Sequence, residues 1–287
     1  MTAHPEGFTT IDPAEARRLV QDGAVSVLDV RTPGEYERLG HIPGAWLLPV
    51  DLIASAPAVL RKDRRPVLVV CEHGVRSVHA ARFLARAGLD RILNLAGGMS
   101  GWTGERAHEA GRMKGPSDWL LRSVRWLPRG GRVLDVACGA GRHALLLASA
   151  GFEVHAVDRD ADAIAWLSRT AHRVGLSLHA AVANLELESV DLGEAAYDAI
   201  LVFRYLHRPL FPALARALRP GGVLVCETFT IGHSPNGKPM NPDFLLQPGE
   251  LARLVEGLEV LDSREGEFAG DLVASVAAKR PAARRGP

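Results

Sequence analysis

The sequence predicts an α/β protein with two domains: a small domain with a mostly parallel sheet, then a larger alternating α/β domain that ends in an antiparallel hairpin. Three observations predict it. Short apolar segments typical of buried strands alternate, in two successive series, with segments of helical periodicity. Residues 105–117 lose this periodicity and separate the two series. The last two apolar segments are joined by a turn containing Gly and Glu, with no helix between them.

In the first domain, placed at residues 1–105, the apolar segments predict strands at 25–30, at the end of 61–70 and at 91–95. Helical patterns between them predict helices at 13–21, 33–39, 50–60 and 78–87. A Gly-rich turn and a large apolar side chain, residues 97–102, close the domain. Residues 106–116 are expected to form a linker.

The second domain is placed at residues 117–280. Its strands are predicted at 132–136, 153–157, 177–182, 199–203 and 222–227, and its hairpin at 258–263 and 271–278. Its helices are predicted at 143–150, 161–174, 210–218 and 248–256. Residues 281–287, rich in Arg, Pro and Ala, are expected to be a disordered tail.

Composition limits the function classes. The 287 residues have 47% hydrophobic and 23% charged side chains, which is typical of globular proteins, and a net charge of +1 gives no general attraction to nucleic acid or acidic membranes. No apolar run approaches the roughly 20 residues of a membrane span, and no signal pattern opens the chain. Three scattered cysteines argue against a disulfide framework or a zinc site. We therefore expect a cytoplasmic protein without a metal.

The segment Cys-Glu-His-Gly-Val-Arg-Ser, residues 71–77, is the most informative part of the first domain. It places Cys71 after an apolar strand and before a helix, where unpaired backbone N–H groups and the helix dipole favour a thiolate. Gly74 lets the backbone curl around the sulfur, and Arg76 adds a positive charge. The segment predicts an anion-binding loop with a nucleophile at its base, although position alone also fits a buried structural thiol.

This segment and three others, in order, resemble the rhodanese family over nearly the whole first hundred residues: 28–36, 40–45, 71–77 and 97–102. The resemblance implies that Cys71 takes sulfur from a small sulfane-sulfur donor as a persulfide and passes it to a thiol or cyanide, with a protein as a further candidate acceptor. It implies that Arg76 binds an anionic donor. Asp29 and Arg31 are expected to tie the loop to the sheet, and for Arg31 a direct functional role stays open.

The second domain carries a strand, a Gly-rich turn and a helix from 133 to 150, and Asp158 ends the next strand. Small residues in such a turn let a nucleotide-like ligand approach the backbone. Residues 139–144 fit the GxGxxA pattern of dinucleotide-binding folds. Three features favour methyl transfer instead. They are Asp135 before the turn, the Leu-Arg-Pro-Gly-Gly segment that opens a strand at 218–225, and the final hairpin.

Together these features resemble class I S-adenosylmethionine-dependent methyltransferases over residues 115–280. Residues 138–143 and 244–251 are similar to the tellurite-resistance-type branch. The resemblance implies S-adenosylmethionine as cofactor. It assigns the methionine and ribose side to Asp135, Ala137, Gly139 and Gly141, the ribose hydroxyls to Asp158, and the adenine to Arg159 and Asn184. At 184 the family often has an acidic residue, so the adenine contact of Asn184 stays open.

The residues after the fourth strand of this domain are candidates for the methyl-acceptor site. They are Arg204, Tyr205, His207 and Arg208. His207 is a candidate base, or else it shapes the pocket. Residues 234–242, rich in Pro and Asn, are expected to form a lid or substrate loop.

For the whole chain we expect a bifunctional sulfurtransferase and methyltransferase with a small, thiol or chalcogen, methyl acceptor. One hypothesis links the sites: Cys71 captures a reactive chalcogen, and the second domain methylates it or a related thiol. The domains could also act on unrelated substrates. The alternative from another class is a sensor or carrier of sulfane sulfur whose second domain binds S-adenosylmethionine or modifies a partner protein.

Overall fold

The computed structural model describes residues 2–4, 7–109, 115–187, 191–234 and 241–282. The chain forms two compact units, Met1–Pro116 with Arg169–Leu176, and Ser117–Ser168 with Ser177–Pro287. In the described residues no helix is both long enough and apolar enough to cross a membrane. The predicted domain bounds stay a prediction.

The first unit is built on a six-stranded sheet in the order β1-β2-β6-β5-β3-β4. All neighbouring strands are parallel except β1 and β2. The strands are β1 (Thr2–His4), β2 (Phe8–Ile11), β3 (Ser26–Asp29), β4 (Trp46–Leu47), β5 (Val67–Val70) and β6 (Ile92–Leu95). The helices are α1 (Pro13–Gln21), α2 (Pro33–Arg38), α3 (Ala56–Leu60) and α4 (Val75–Arg86).

Strand β5 lies in the middle of this sheet and is buried on both faces. Val67 and Val69 pack into the core on one side, and Leu68 and Val70 pack into the core on the other. Cys71 continues the first set, as the two-residue period of a strand requires. The register of β5 therefore decides on which side of the sheet the thiol lies.

The mostly parallel sheet is confirmed, with three differences in the elements of the first unit. Strands β1, β2 and β4 were not predicted. Helix α4 begins at Val75 rather than 78, directly after Gly74, whose φ is 86°. Predicted helix 50–60 is a 3-10 helix, Val50–Ser55, followed by α3. Ala107, which lies inside the predicted linker, forms a β-bridge with His41.

The second unit is built on a seven-stranded sheet in the order β12-β13-β11-β10-β7-β8-β9. Its strands are β7 (Arg132–Val136), β8 (Glu153–Asp158), β9 (Leu178–Val182), β10 (Tyr197–Phe203), β11 (Leu218–Phe229), β12 (Glu259–Phe268) and β13 (Asp271–Lys279). The helices in this part of the chain are α5 (Asp118–Ser123), α6 (Arg142–Ser149), α7 (Ala161–Val174), α8 (Phe211–Ala217) and α9 (Glu250–Leu254).

Five of these strands are parallel, and β13 runs antiparallel to both β11 and β12, so the predicted terminal hairpin is confirmed. The strand order changes direction between β7 and β10, whose carboxyl ends form the crevice in which such sheets bind ligands. Helix α5 was not predicted. Residues 235–240 of the predicted lid and 283–287 of the predicted tail lie outside the described residues.

Candidate active sites

Cys71 lies at the end of β5 and is 1% exposed. Its Sγ accepts a hydrogen bond from the backbone N–H of Gly74 at 3.1 Å and lies 3.3 Å from Ser77 Oγ. Because Gly74 adopts a left-handed conformation, the chain turns back around the sulfur before α4 begins. The thiol therefore faces the start of a helix, as the sequence predicts, with one backbone donor already directed at it.

A second segment, residues 97–102, forms backbone hydrogen bonds with this loop. The N–H groups of Met99 and Ser100 donate to the carbonyls of Cys71 and Glu72 at 2.8 and 3.0 Å. Gly98 has a φ of 65°, and a Cβ there would lie 2.4 Å from the carbonyl oxygen of Cys71. Only glycine permits this approach. The sequence identified the segment as a closing turn and did not reveal its contact with the loop.

Arg31 is fully buried and connects three parts of the first unit. Its Nε donates to Asp29 Oδ1 at 3.0 Å, its Nη2 to the carbonyl of Gly40 at 2.8 Å, and its Nη1 to Glu72 Oε2 at 2.7 Å. Glu72 follows the nucleophile, so this network fixes the loop to the end of β3. These contacts support the structural interpretation of Arg31, because its side chain is fully buried and is not exposed to a sulfur donor.

Arg76 points from the first turn of α4 to a carboxylate on α2. Its Nη1 donates to Glu35 Oε2 at 2.8 Å, and its Nη2 contacts Oε1 of the same residue. These hydrogen bonds lower the pKa of Glu35 to about 2, with further help from Thr32, which forms a capping box with Glu35. The predicted anion-binding arginine thus has a carboxylate partner within the protein. Its contact with a donor stays a prediction.

A cavity of about 360 Å³ opens in the second unit at the carboxyl ends of the strands. It brings together four residues predicted for the cofactor with two predicted near the acceptor: Ala137, Asp158, Arg159, Asn184, Arg204 and Tyr205. The described residues that line it do not include Asp135, Gly139, Gly141 or His207. The roles of these four residues stay predictions.

The Gly-rich turn after β7 orients the carboxylate of Asp158. The N–H of Gly139 donates to Asp158 Oδ2 at 2.7 Å, and the N–H of Asp160 donates to Oδ1 at 2.9 Å. Each carboxylate oxygen can accept more than one hydrogen bond, so both remain able to accept from ribose hydroxyls. Gly141 has a φ of 78°, and a Cβ there would meet Leu167 at 2.5 Å. The left-handed φ is the main reason why the turn favours glycine at this position.

Asp135 lies behind this turn and is 1% exposed. Its Oδ2 has no hydrogen-bond partner among the described residues. Burial raises the pKa of Asp135 to about 7, although the backbone N–H of Ala144 and the charge of Arg142 oppose the increase. An unsatisfied buried carboxylate oxygen is costly, and an ammonium group would satisfy it. Asp135 therefore fits the amino group of the methionine part of S-adenosylmethionine.

Asn184 and Tyr205 also line the cavity. Asn184 Oδ1 accepts the N–H of Glu186 at 3.1 Å, so the carbonyl that was expected to contact adenine already has a partner. The hydroxyl of Tyr205 is buried with no hydrogen-bond partner among the described residues. Burial raises the pKa of Tyr205 to about 12, so the group stays a phenol and a donor. The position of Tyr205 after β10 predicted that it belongs to the methyl-acceptor site, but nothing in the sequence indicated that its hydroxyl has no hydrogen-bond partner.

Two family descriptions match the chain: a rhodanese-like domain over residues 12–105 and a methyltransferase domain over residues 133–222. A sulfurtransferase of Allochromatium vinosum is 39% identical over 87 residues, which are 30% of this chain and 79% of the relative. The thiosulfate sulfurtransferase GlpE of Tolumonas auensis is 33% identical over 95 residues, 33% of this chain and 88% of the relative.

Among solved structures, TehB from Haemophilus influenzae is 21% identical with a TM-score of 0.48, over 57% of this chain and 61% of that chain. The [4+2]-cyclase SpnF is 18% identical with a TM-score of 0.47, over 57% of this chain and 79% of that chain. The two family matches confirm both predicted domain types and, with the second, the predicted cofactor S-adenosylmethionine. The tellurite-resistance-type branch stays a prediction.

Proposed function

Because the chain belongs to the rhodanese-like sulfurtransferase family and carries a methyltransferase domain after this part, we propose that it joins two transfer reactions. Cys71 moves sulfane sulfur through a persulfide, and the second domain methylates a small soft nucleophile such as a thiol or a chalcogen anion. The observation that carries the first part is the buried Sγ of Cys71 with the Gly74 N–H directed at it.

In the sulfur step, the thiolate of Cys71 attacks the sulfane sulfur of a donor such as thiosulfate. A bond forms between Sγ and that sulfur, the sulfur–sulfur bond of thiosulfate breaks, and sulfite leaves with the electron pair. The terminal sulfur of the persulfide is negative, and the backbone N–H groups of residues 72–77 and Arg76 are suited to stabilise it. A thiol, cyanide or a protein acceptor then takes this sulfur and regenerates the Cys71 thiolate.

In the methyl step, bound S-adenosylmethionine supplies an electrophilic methyl group. Asp135 would hold the amino group of the methionine part, Asp158 would accept hydrogen bonds from the ribose hydroxyls, and Ala137, Gly139 and Gly141 would allow close approach to the backbone. Arg159 would face the adenine, and the contact of Asn184 with adenine stays open because its Oδ1 already accepts the N–H of Glu186. Methyl transfer needs alignment above all, and a base only where the acceptor must lose a proton. His207 is the candidate for that base. We also propose that the enzyme is located in the cytoplasm.

Two variants of the full chain test these assignments against each other. Cys71→Ser should abolish thiocyanate formation from thiosulfate and cyanide and leave the calorimetric affinity for S-adenosylmethionine unchanged. Asp158→Ala should keep thiocyanate formation and weaken that affinity about 10- to 100-fold, because it removes charge-assisted hydrogen bonds worth about 1.5–3 kcal/mol. Each variant is thus the folding control for the other.

Undiminished thiocyanate turnover in Cys71→Ser would overturn the sulfur assignment. Tight NAD binding with none of S-adenosylmethionine would overturn the methyl assignment. S-adenosylmethionine binding without S-adenosylhomocysteine release, in a screen of thiols, sulfide and selenite with and without persulfidation of Cys71, would favour the sensor or carrier.

A further inference from the structure

The cavity of the second unit extends past the predicted cofactor residues to the ends of β10 and β11. There its lining includes Arg204, Phe229 and Phe244. The two strands pair in register, with Phe203 opposite Glu227, and the N–H of Arg204 donates to the carbonyl of Glu227 at 2.8 Å. The first residue after β10 is therefore fixed beside β11, and β10 is separated by β7 from β8, the strand that ends in Asp158.

Arg204 is held in an unusual conformation. Its φ is 56°, a left-handed value that is strained for a non-glycine residue. Its Nη2 donates to Asp271 Oδ2 at 2.8 Å, and its guanidinium lies 5.5 Å from the centre of the Phe229 ring. The side chain is still 52% exposed. The guanidinium is thus positioned by two neighbours in a residue that lines the cavity.

A second arginine, Arg142, lies near Arg204. Burial and the charge of Arg204 together lower the pKa of Arg142 to about 10, while the carboxylates of Asp135, Glu227 and Asp271 oppose the decrease. Burial and the same two arginines lower the pKa of His143 well below its ordinary value. The carboxylate of Glu227 accepts hydrogen bonds from Arg264 and from the hydroxyls of Ser117 and Ser275. Arg204 and Arg142 therefore place two positive charges near this end of the cavity, and Asp271 pairs with Arg204.

We propose that this end of the cavity is the methyl-acceptor subsite and that Arg204 selects nucleophiles carrying an oxyanion next to the attacking atom. The inference rests on the proposed methyl transfer. A guanidinium binds a carboxylate-like oxyanion through parallel N–H donors. Phe229 and Phe244 supply the apolar surface against which the carbon or chalcogen part packs. Small thiols that bear a carboxylate are the simplest substrates of this class.

The test compares two thiols of similar size, mercaptoacetate, which is anionic, and 2-mercaptoethanol, which is neutral. Release of S-adenosylhomocysteine is measured for the full chain, and kcat/KM is corrected for the thiolate fraction. We expect the wild type to prefer mercaptoacetate. Arg204→Gln should lower kcat/KM for mercaptoacetate about 10- to 100-fold, mainly through KM, and for 2-mercaptoethanol less than about threefold. Arg204→Lys should restore part of the loss.

Arg219→Gln is the matched control. Arg219 is 45% exposed and pairs with Asp198 at 2.6 Å, near the start of β10 rather than its end. This variant should keep the wild-type preference. The affinity for S-adenosylmethionine should be the same in all four proteins, which shows that each second unit is folded. Equal losses with both thiols in Arg204→Gln, or no preference in the wild type, would overturn the inference while leaving methyl transfer intact.

A binding measurement removes the dependence on turnover. Glycolate, which has the carboxylate of mercaptoacetate but a hydroxyl in place of the thiol, is titrated into protein saturated with S-adenosylhomocysteine and followed by NMR. We expect binding to the wild type and to Arg219→Gln, and binding at least about tenfold weaker to Arg204→Gln. Equal binding to all three proteins, or none to the wild type, refutes the oxyanion subsite. Failure of the protein to bind S-adenosylhomocysteine refutes the proposed methyl transfer instead.

Discussion

The substitution Asp135→Asn should make the protein more stable at alkaline pH and at the same time weaken the binding of S-adenosylmethionine. In Asp135→Asn the side chain keeps its shape but loses the charge that burial disfavours. Asp135 is 1% exposed, and burial raises its pKa from the ordinary 3.8 to about 7. The unfolded chain therefore ionises this residue near pH 4 and the folded chain near pH 7. Between these values only the folded state holds the proton, so the free energy of unfolding falls as the pH rises.

The size of this effect follows from the pKa difference. The shift from 3.8 to about 7 corresponds to roughly 4 kcal/mol over the whole range, at 1.36 kcal/mol for each pKa unit. Between pH 5 and pH 8 the free energy of unfolding of the wild type should fall by about 3 kcal/mol through this residue. Asp135→Asn has no such titration. Its stability relative to the wild type should therefore be about 3 kcal/mol greater at pH 8 than at pH 5, while its affinity for S-adenosylmethionine falls about 10-fold or more.

The assay is urea denaturation of the full chain at pH 5, 6, 7 and 8, followed by hydrogen exchange in peptides that contain β7 and β10. These peptides report on the second unit alone. Subtracting the wild type from Asp135→Asn cancels every other group that titrates in this range. Asp162→Asn, at an exposed position of α7, is the control and should show no pH-dependent difference. A stability difference between Asp135→Asn and wild type that is constant from pH 5 to pH 8 would refute the reasoning.

Two further predictions concern the first unit. Gly98→Ala should reduce thiocyanate formation more than about 100-fold, because its Cβ would lie 2.4 Å from the carbonyl oxygen of Cys71. Gly97→Ala, with a φ of 69° but nothing within 4 Å of its Cβ, is the control and should keep most of the activity; equal losses in both would contradict the contact argument. Glu35→Gln should lower KM for thiosulfate about threefold without changing kcat, because Arg76 keeps an acceptor but its charge is no longer neutralised. The ion pair stabilises the fold above the ordinary carboxyl pKa of 4.5, and this contribution disappears as the pH falls towards about 2. A raised KM in steady-state kinetics would mean that Glu35 positions Arg76 for the donor.

The elements predicted correctly are those whose pattern is long or strongly apolar. Strand β7 and helices α1 and α7 have their predicted bounds, since each has a clear periodicity and α1 has an Asp12 cap that binds two N–H groups. Strand β2 was missed because its four residues, FTTI, contain two threonines and become a strand only by pairing with β6. Helix α5 was missed because it is short. It depends on the Ser117 cap and on Trp119, which is fully buried.

The reactive groups were easier to predict than the contacts that position them. Cys71, Asp135 and Asp158 stand out because each is a reactive side chain at or next to the end of an apolar strand. Glu35, by contrast, lies 41 residues from Arg76, and no local pattern connects them. The same holds for Arg204 and Asp271, which are 67 residues apart. Such pairs arise from the arrangement of strands in a sheet, and propensity and periodicity carry no information about them.

The alternation along β5 has a consequence for how this part of the gene can change. Val67, Val69 and Cys71 share one side of the sheet, and the loop that follows reaches α4 in three residues. Inserting or deleting one residue between 67 and 71 would carry the sulfur to the opposite face, away from the Gly74 amide. Substitutions among Val, Ile and Leu would keep the register. Descendants of this sequence that retain sulfur transfer should therefore vary in the identity of these residues and never in their number.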